Sequence, residues 1–451
     1  MTKTKTIFSC QHCGSQYAQW QGQCRDCGEW NSIVEEVTVK KSTHRASGFA
    51  GAQSVPILLS NVSMQSQPRL ATGLAEFDHV LGGGLVSDSV VLIGGDPGVG
   101  KSTLLLQILC QISRNYSTLY ISGEESLQQI ALRAQRLQLP QDKLTLLAET
   151  HIEQILVLAE QSHPQVMVID SIQTVYTDTV PSAPGGVGQV RESGAQLVRF
   201  AKQKGIALFI VGHVTKEGAI AGPRVLEHMV DAVLYFEGKN DSRFRVIRAV
   251  KNRFGAVNEI GVFAMTNAGL KQVNNPSAIF LSRYETPVSG SVVTVTWEGS
   301  RPLLVEVQAL VDESHLANPR RVTVGLEQNR LSMLLATLHR HGGVPTYDQD
   351  VFVNAVGGLR IVETGADLPV LLAVLSSLRN KPLPSDLIVF GEVGLAGEIR
   401  PVPSGQERIK EAVKHGFKRA IVPKANAPKD APEGMEIVAA DKLQSVLNYN
   451  Y

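Results

Sequence analysis

The sequence predicts an α/β fold in which a parallel sheet is flanked by helices. Apolar, strand-like runs at Val90–Ile93, Thr118–Ser122, Gln165–Asp170, Ile206–Gly212 and Ala232–Phe236 alternate with helical stretches from about residue 68 to 270. Between the first run and a helical stretch over Ser102–Ser113, Gly95-Asp96-Pro97-Gly98-Val99-Gly100-Lys101-Ser102, followed by Thr103, completes a G-x-x-x-x-G-K-[ST] pattern. A third feature, four cysteines within the first 27 residues, marks a separate small module ahead of the sheet.

Composition sets outer limits. A chain of 451 residues has room for two or three domains, and 43% hydrophobic with 19% charged residues is ordinary globular composition. The net charge of +1 gives no global pull toward nucleic acid or membrane, so any DNA contact has to come from local basic patches. The N-terminus shows no apolar signal segment, and runs such as Leu368–Leu378 are too short to span a bilayer. The expectation is a soluble, cytoplasmic protein with no membrane partner.

Taken in order, residues 1–30 hold Cys10-x2-Cys13 and Cys24-x2-Cys27. Each C-x-x-C turns two thiolates toward one point, and two such knuckles complete the tetrahedral sulfur set that suits Zn²⁺. Gly14 and Gly28 follow each pair and permit the tight turn. A disulfide pair is the competing assignment, disfavoured in a cytosolic chain. Four thiolates leave no open coordination position, so the zinc is expected to be structural, with His12 facing solvent. Residues 31–67, rich in Ser, Thr, Val and Gln, suit a linker.

Residues 68–273 form the predicted α/β domain. In the glycine loop, Gly95, Gly98 and Gly100 let backbone N–H groups close around a phosphate, and the helix N-terminus adds its positive dipole end. Lys101 reaches the β/γ oxygens of a nucleotide such as ATP, and Ser102 is placed to hold Mg²⁺. Cys110, inside that helix, reads as a small buried hydrophobe. The run Val166–Asp170 ends in a carboxylate, so Asp170 is the expected second partner of Mg²⁺. Glu124 and Glu125 follow the run Thr118–Ser122, where a water-activating base is needed; alternatively, they serve only the dipole of the next helix. His213 closes the run Ile206–Gly212, in position to sense a γ-phosphate. Arg243, Arg245, Arg248, Lys251 and Arg253 lie in a stretch without acids. They fit a solvated basic strand, or a cationic finger in which Lys251 or Arg253 reaches a neighbouring subunit's phosphate.

Asn274-Asn275-Pro276 breaks the pattern, which places a second linker at 274–285 and a further mixed α+β domain at 286–451. Its expected strands are Val292–Trp297 and Leu303–Gln308 and its helices Arg330–His339 and Leu368–Leu378, with glycine-punctuated strands through Val422.

Over essentially its whole length the chain resembles the bacterial RadA (Sms) family of RecA-like DNA repair ATPases. The resemblance is carried by Cys10-x2-Cys13-Gly14 with Trp20, Gly22 and Cys24-x2-Cys27-Gly28, by Leu81-Gly82-Gly83-Gly84, by the phosphate loop, and by Lys251-Asn252-Arg253-Phe254-Gly255. It implies a RecA-like P-loop ATPase core in a hexameric ring that acts with RecA on single-stranded and branched DNA, with DNA-stimulated ATP hydrolysis and branch migration. It also implies roles: Glu124 as water-activating base, Asp170 at the metal, Lys251 and Arg253 coupling nucleotide to DNA, and 178–190 and 214–224 as mobile loops facing DNA. Ser87-Asp88 stands where the family pattern has Pro-Gly.

The last domain resembles the proteolytic domain of Lon proteases through Gly391-Glu392-Val393-Gly394-Leu395-Ala396-Gly397-Glu398-Ile399-Arg400-Pro401-Val402. Lon-type hydrolysis needs a serine activated by a lysine, but those positions fall near Pro369 and Gln406. Ser376, Ser377 and Lys410 are out of register. A scaffold for ring assembly and DNA contact is expected instead, with Arg320-Arg321, Arg330 and Arg340 as phosphate-facing candidates. An ATP-dependent protease and a nucleotide-gated DNA clamp without motor activity are the alternative functions.

Overall fold

The computed structural model describes residues 5–10, 16–17, 19–23, 25, 28, 30, 33–38, 58, 68–213, 225–237, 243–273, 275–281 and 286–447. The chain divides into two compact units, Met1–Pro56 and Ile57–Tyr451. In the first, Lys5–Cys10 is the middle strand of a three-stranded antiparallel sheet between Gln16–Tyr17 and Ile33–Thr38. Cys10 pairs with Ile33, so this unit runs past residue 30 into the segment expected to be linker.

The second unit carries a nine-stranded sheet. Its order is Gly269–Gln272, Ile260–Thr266, Phe244–Asn252, Ala232–Glu237, Val90–Gly95, Ala207–His213, Val166–Asp170, Thr118–Ser122 and Leu144–Ala148. From Ala232–Glu237 onward the neighbours are parallel, as the alternating pattern predicts. The first three strands are antiparallel additions that the alternation does not reveal. Val91 and Ile93 pack in the same core as Leu105 and Leu109 of the helix Lys101–Ile112. Val90 and Leu92 pack in the opposite one with Ile155, Leu197 and Val198. A strand buried on both faces reads as an unbroken apolar run, which is why it is visible in the sequence. Cys110 is buried, and burial pushes its thiol up to about 11.

The turn before the P-loop strand explains the departure at Ser87-Asp88. Asp88 has φ +59°, the left-handed conformation that glycine adopts at no steric cost and aspartate tolerates.

In the C-terminal part a seven-stranded sheet runs Arg321–Val324, Gln349–Ala355, Arg301–Glu313, Ser291–Glu298, Leu387–Val389, Arg419–Pro423 and Glu436–Ala440. Leu331 and Leu335 of the helix Gln328–Gly342 and Leu371 and Leu375 of the helix Asp367–Leu378 share a core with Val305 and Val307. Ile409 and Ala412 of the helix Gly405–Lys414 pack in another, with Val295 and Leu304.

The junction is not a loose tether where it is described. Pro276–Ile279 forms a 3₁₀ turn and Phe280 is fully buried, in one core with Val246, Ile260 and Val262 of the nine-stranded sheet and Leu303 and Val305 of the seven-stranded one. Arg301 forks onto Glu76 at 3.0 and 2.8 Å, and Arg248 joins Glu237 to Glu298. Residues 274 and 282–285 of the expected linker lie outside the described residues. Among the described residues no helix is long and apolar enough to cross a membrane.

Candidate nucleotide site

Strand register gathers the sequence-predicted residues. His213 pairs with Gly95, and Ser122 pairs with Asp170, so the carboxyl ends of four parallel strands align along one edge. Open α/β sheets bind ligands outside that edge. The glycine loop leads from Gly95 into the helix Lys101–Ile112, and Gly100, at φ +118°, is its left-handed N-cap. That backbone conformation is one L side chains rarely adopt, so it is what requires glycine here; the Cε of Met265, 2.9 Å from where a Cβ would lie, is the end of a flexible side chain.

Lys101 is buried, and its ammonium donates to the carbonyls of Gly95 at 2.8 Å and Asp96 at 2.9 Å. Burial lowers its pKa to about 8 against the opposing pull of Asp170, Glu124 and Asp96. Asp170 is also buried and accepts from the Tyr120 phenol and the Ser102 hydroxyl. Burial raises its pKa and these hydrogen bonds oppose the rise. Ser102 and Asp170 are thus a contiguous pair of hard oxygens, one a neutral hydroxyl and one a carboxylate, of the kind that fits Mg²⁺.

The two glutamates separate. Glu124 accepts from the Ser171 hydroxyl and contacts Nε2 of His213 at 3.1 Å, and the His213 contact is the main cause that lowers its pKa. Glu125 forms an ion pair with Arg133. The following helix, Leu127–Arg136, is started by a Ser126–Gln129 capping box rather than by either glutamate. His213 therefore faces a carboxylate partner.

Three contributors escaped sequence reasoning. Tyr120 and Ser171 lie inside or just after strands whose apolar pattern carries no sign of the contact. Arg245 is buried with Nε donating to the Val99 carbonyl at 3.0 Å, so it braces the phosphate loop. Together with buried Arg248 it corrects the expectation of a solvated basic strand.

Lys251 and Arg253 lie elsewhere. Asn252 pairs with Ala232, which pairs with Val91, at the opposite edge of the sheet from the chain's own P-loop. Lys251 donates to the carbonyls of Glu227 at 2.7 Å and Val230 at 2.8 Å, and Arg253 to Asp231 at 3.1 Å. The pentapeptide is docked on Leu81-Gly82-Gly83-Gly84: Asn252 donates to the Val80 carbonyl, and Arg69 bridges the carbonyls of Gly82 and Phe254. A Cβ on Gly82 would lie 2.8 Å from Cα of Gly255, so the two backbones touch.

Of the two loops expected to be mobile, 214–224 lies outside the described residues. The other is shorter and stapled, because the helix Val187–Lys204 takes its last four residues. Buried Gln189 accepts from Thr177 N–H at 2.9 Å and donates to the carbonyls of Thr177, Val180 and Ser182 at 3.0, 2.8 and 2.9 Å.

In the C-terminal part several of the singled-out residues are engaged internally. Ser376 accepts from Gly290 N–H at 2.9 Å and donates to the Lys381 carbonyl at 2.7 Å; Ser377 accepts from Val311 N–H at 2.9 Å. Pro369 is buried, while Gln406 and Lys410 are exposed on another helix. Arg321 donates to the carbonyls of Arg320, Gln349 and Thr346, and Arg330 forks onto Asp367, so neither guanidinium stands as a bare phosphate-facing cation. Arg320 and Arg340 are exposed.

Cys10 ends a strand, whereas Cys13, Cys24, Cys27 and His12 lie outside the described residues. Among the described residues no cluster of three His, Cys, Asp or Glu side chains suits a metal ion.

Comparison with known proteins adds three matches by region. Residues 61–219 match the family described as an AAA domain, residues 8–35 a rubredoxin metal binding domain, and residues 323–426 the subunit ChlI of Mg-chelatase. Along the full chain, identity is 64% to the DNA repair protein RadA of Pseudomonas aeruginosa, over 99% of both proteins. It is 61% to the protein of that name from Escherichia coli, over 98% of both, and 48% to that of Bacillus subtilis, over 99% of both.

Proposed function

Because this chain belongs to the RadA family of DNA repair proteins, we propose that it is a DNA-dependent ATPase of homologous recombination and repair. In this reading it works in the cytoplasm with RecA, as a hexameric ring that drives branch migration on single-stranded and branched DNA. The observation that carries the reading is that the phosphate loop with its acids and the pair Lys251 and Arg253 lie at opposite edges of one sheet. Lys101, Ser102, Asp170 and Glu124 gather at one edge, and Lys251 and Arg253 at the other, which supports a finger supplied to each site by a second copy.

The proposed roles follow from the contacts. The loop Gly95, Asp96, Pro97, Gly98, Val99, Gly100, Lys101, Ser102 and Thr103 cradles the phosphates of ATP. Lys101 exchanges two carbonyl partners for phosphate oxygens, a gain because its charge is poorly solvated where it stands. Ser102 and Asp170 hold Mg²⁺, which neutralises charge on the phosphates. Glu124 accepts the proton of the attacking water, a role Glu125 is kept from by Arg133. Cys10, Cys13, Cys24 and Cys27 hold structural Zn²⁺ in a module that includes the strand Ile33–Thr38, and the domain after residue 286 acts as a proteolytically inactive scaffold.

Branch migration of a three-strand intermediate, compared with hydrolysable and non-hydrolysable nucleotide, tests the motor; DNA binding without movement in either would leave the clamp. Rings mixing Arg253→Ala with Lys101→Ala subunits test the shared site. Recovery of turnover is expected, since an interface pairing an intact Lys101 with an intact Arg253 re-forms. An inert mixed ring, shown by native mass to hold both variants, would place Arg253 within its own subunit or on DNA. Zinc in protein purified without chelator, lost in Cys24→Ser with the ATPase core still folded, tests the metal module.

A further inference from the structure

Lys251 and Arg253 are seated on one short segment, Glu227–Asp231, and its last residue has an unusual set of partners. Asp231 is buried, immediately before the strand Ala232–Glu237. One carboxylate oxygen accepts from the Val90 N–H at 3.0 Å and faces the Lys202 ammonium at 2.7 Å. The other accepts from Arg253 at 3.1 Å. Its backbone continues the pattern: Asp231 N–H donates to the Val90 carbonyl at 2.9 Å, and the Asp231 carbonyl accepts from Arg253 N–H at 3.1 Å.

A buried carboxylate is retained only where it is paired and hydrogen-bonded, and this one holds two cations and a backbone donor. The asymmetry of exposure is informative. The Arg253 side chain is 61% exposed and its acid partner 4%. Arg253 is therefore anchored at one nitrogen and presented outward. Val90 opens the strand that ends at Gly95, so the anchor of Arg253 and the chain's own phosphate loop are the two ends of one buried strand.

We infer that Asp231 is the positioning residue for Arg253 and ties it to the chain's own phosphate-loop strand. The inference rests on the reading above, in which Arg253 serves the nucleotide of a neighbouring copy. Asp231 fixes the guanidinium at the sheet edge, and a contact made there is delivered to the start of Val90–Gly95. Lys202, on the last turn of Val187–Lys204, neutralises the carboxylate's second charge-accepting oxygen without touching Arg253.

The test is a double-mutant cycle on the full chain, reading ATP turnover with and without a single-stranded oligodeoxythymidine, alongside unfolding midpoint and nucleotide binding. Asp231→Asn turns amide donors toward existing donors and is expected to lower oligonucleotide-stimulated turnover at least about tenfold. Asp231→Asn with Arg253→Ala is expected to be no worse than Arg253→Ala alone, because both remove one unit. Lys202→Met removes an ion pair with the same carboxylate but leaves the Arg253 contact, and is expected to keep stimulated turnover. Multiplying defects in the double variant, a fully stimulated Asp231→Asn, or a Lys202→Met as inactive as Asp231→Asn at equal loss of stability would each overturn the assignment. A fully active Arg253→Ala would instead overturn the reading it rests on.

Discussion

At the carboxyl edge of the nine-stranded sheet, Lys101, Glu124 and Asp170 stand close together with shifted pKa values and neighbours that a ligand can replace. In the C-terminal domain, Ser376, Ser377, Arg321, Arg330 and Arg408 are polar or charged residues too, but their contacts are made inside the fold. Arg408 is fully buried, forks onto Glu363 at 2.7 and 2.6 Å and donates to the carbonyls of Val295 and Pro403. Residue type alone does not separate the two regions. What separates them is whether the groups facing a side chain are fixed backbone carbonyls and paired acids, or a loop and a strand edge that open outward. Arg321 and Arg330 have shifted pKa values as well, so it is the open edge, and not the shift, that makes Lys101, Glu124 and Asp170 the candidates for chemistry.

The largest expected effects lie at the sheet edge. Lys101→Ala should abolish ATP turnover, by at least about a hundredfold, with little change in unfolding midpoint. Near-normal hydrolysis would break the comparison at its first term. Glu124→Gln should bind ATP and lose about 10²–10⁴ in turnover, while Glu125→Gln, whose parent is paired with Arg133, should stay close to wild type. Reversal of that order moves the base by one residue.

Next in size is the C-terminal core. Arg408→Ala leaves Glu363, among the described residues, with only the Trp297 N–H as partner and should cost about 3–5 kcal/mol in denaturant unfolding, with ATP affinity kept by whatever remains folded. Ser376→Ala should cost about 1–3 kcal/mol, because it strands the buried Gly290 N–H and the Lys381 carbonyl. No peptidase activity should be present to lose. Peptide cleavage by the wild type that Ser376→Ala removes would mean that this region also carries chemistry.

The smallest effect sharpens the contrast through pH. Lys101 in the bare site has a pKa of about 8, and phosphate favours its charged form and raises that value. ATP binding above pH 8 should therefore take up a proton, and affinity should fall as pH rises through 8. Calorimetry in buffers of different ionisation enthalpy reads the uptake directly, and Lys101→Ala should show none.

Much of this is legible in the sequence. The phosphate loop requires glycines at left-handed or crowded backbone positions, and the doubly buried strands require unbroken apolar runs, so both leave a local signature. The antiparallel strands Ile260–Thr266 and Gly269–Gln272 do not show in the alternation, because they follow Phe244–Asn252 with no helix between them, and Phe244–Asn252 itself showed only as a basic stretch, because Arg245, Arg248 and Lys251 interrupt its apolar residues. The strand Ile33–Thr38 was missed for a related reason: its pairing with Lys5–Cys10 is a contact across almost the whole small module.

By itself the sequence determined the α/β class, the nucleotide loop, the two acids that could serve it and the family of the chain, since each depends on residues within a few positions of one another. Tertiary structure alone decided which glutamate faces Lys101, that Arg245 braces the loop, and that Lys251 and Arg253 sit on Glu227–Asp231 at the far edge of the sheet. Those outcomes depend on strand register and on hydrogen bonds between residues far apart in the chain, and a one-residue change in register would turn each side chain to the other face.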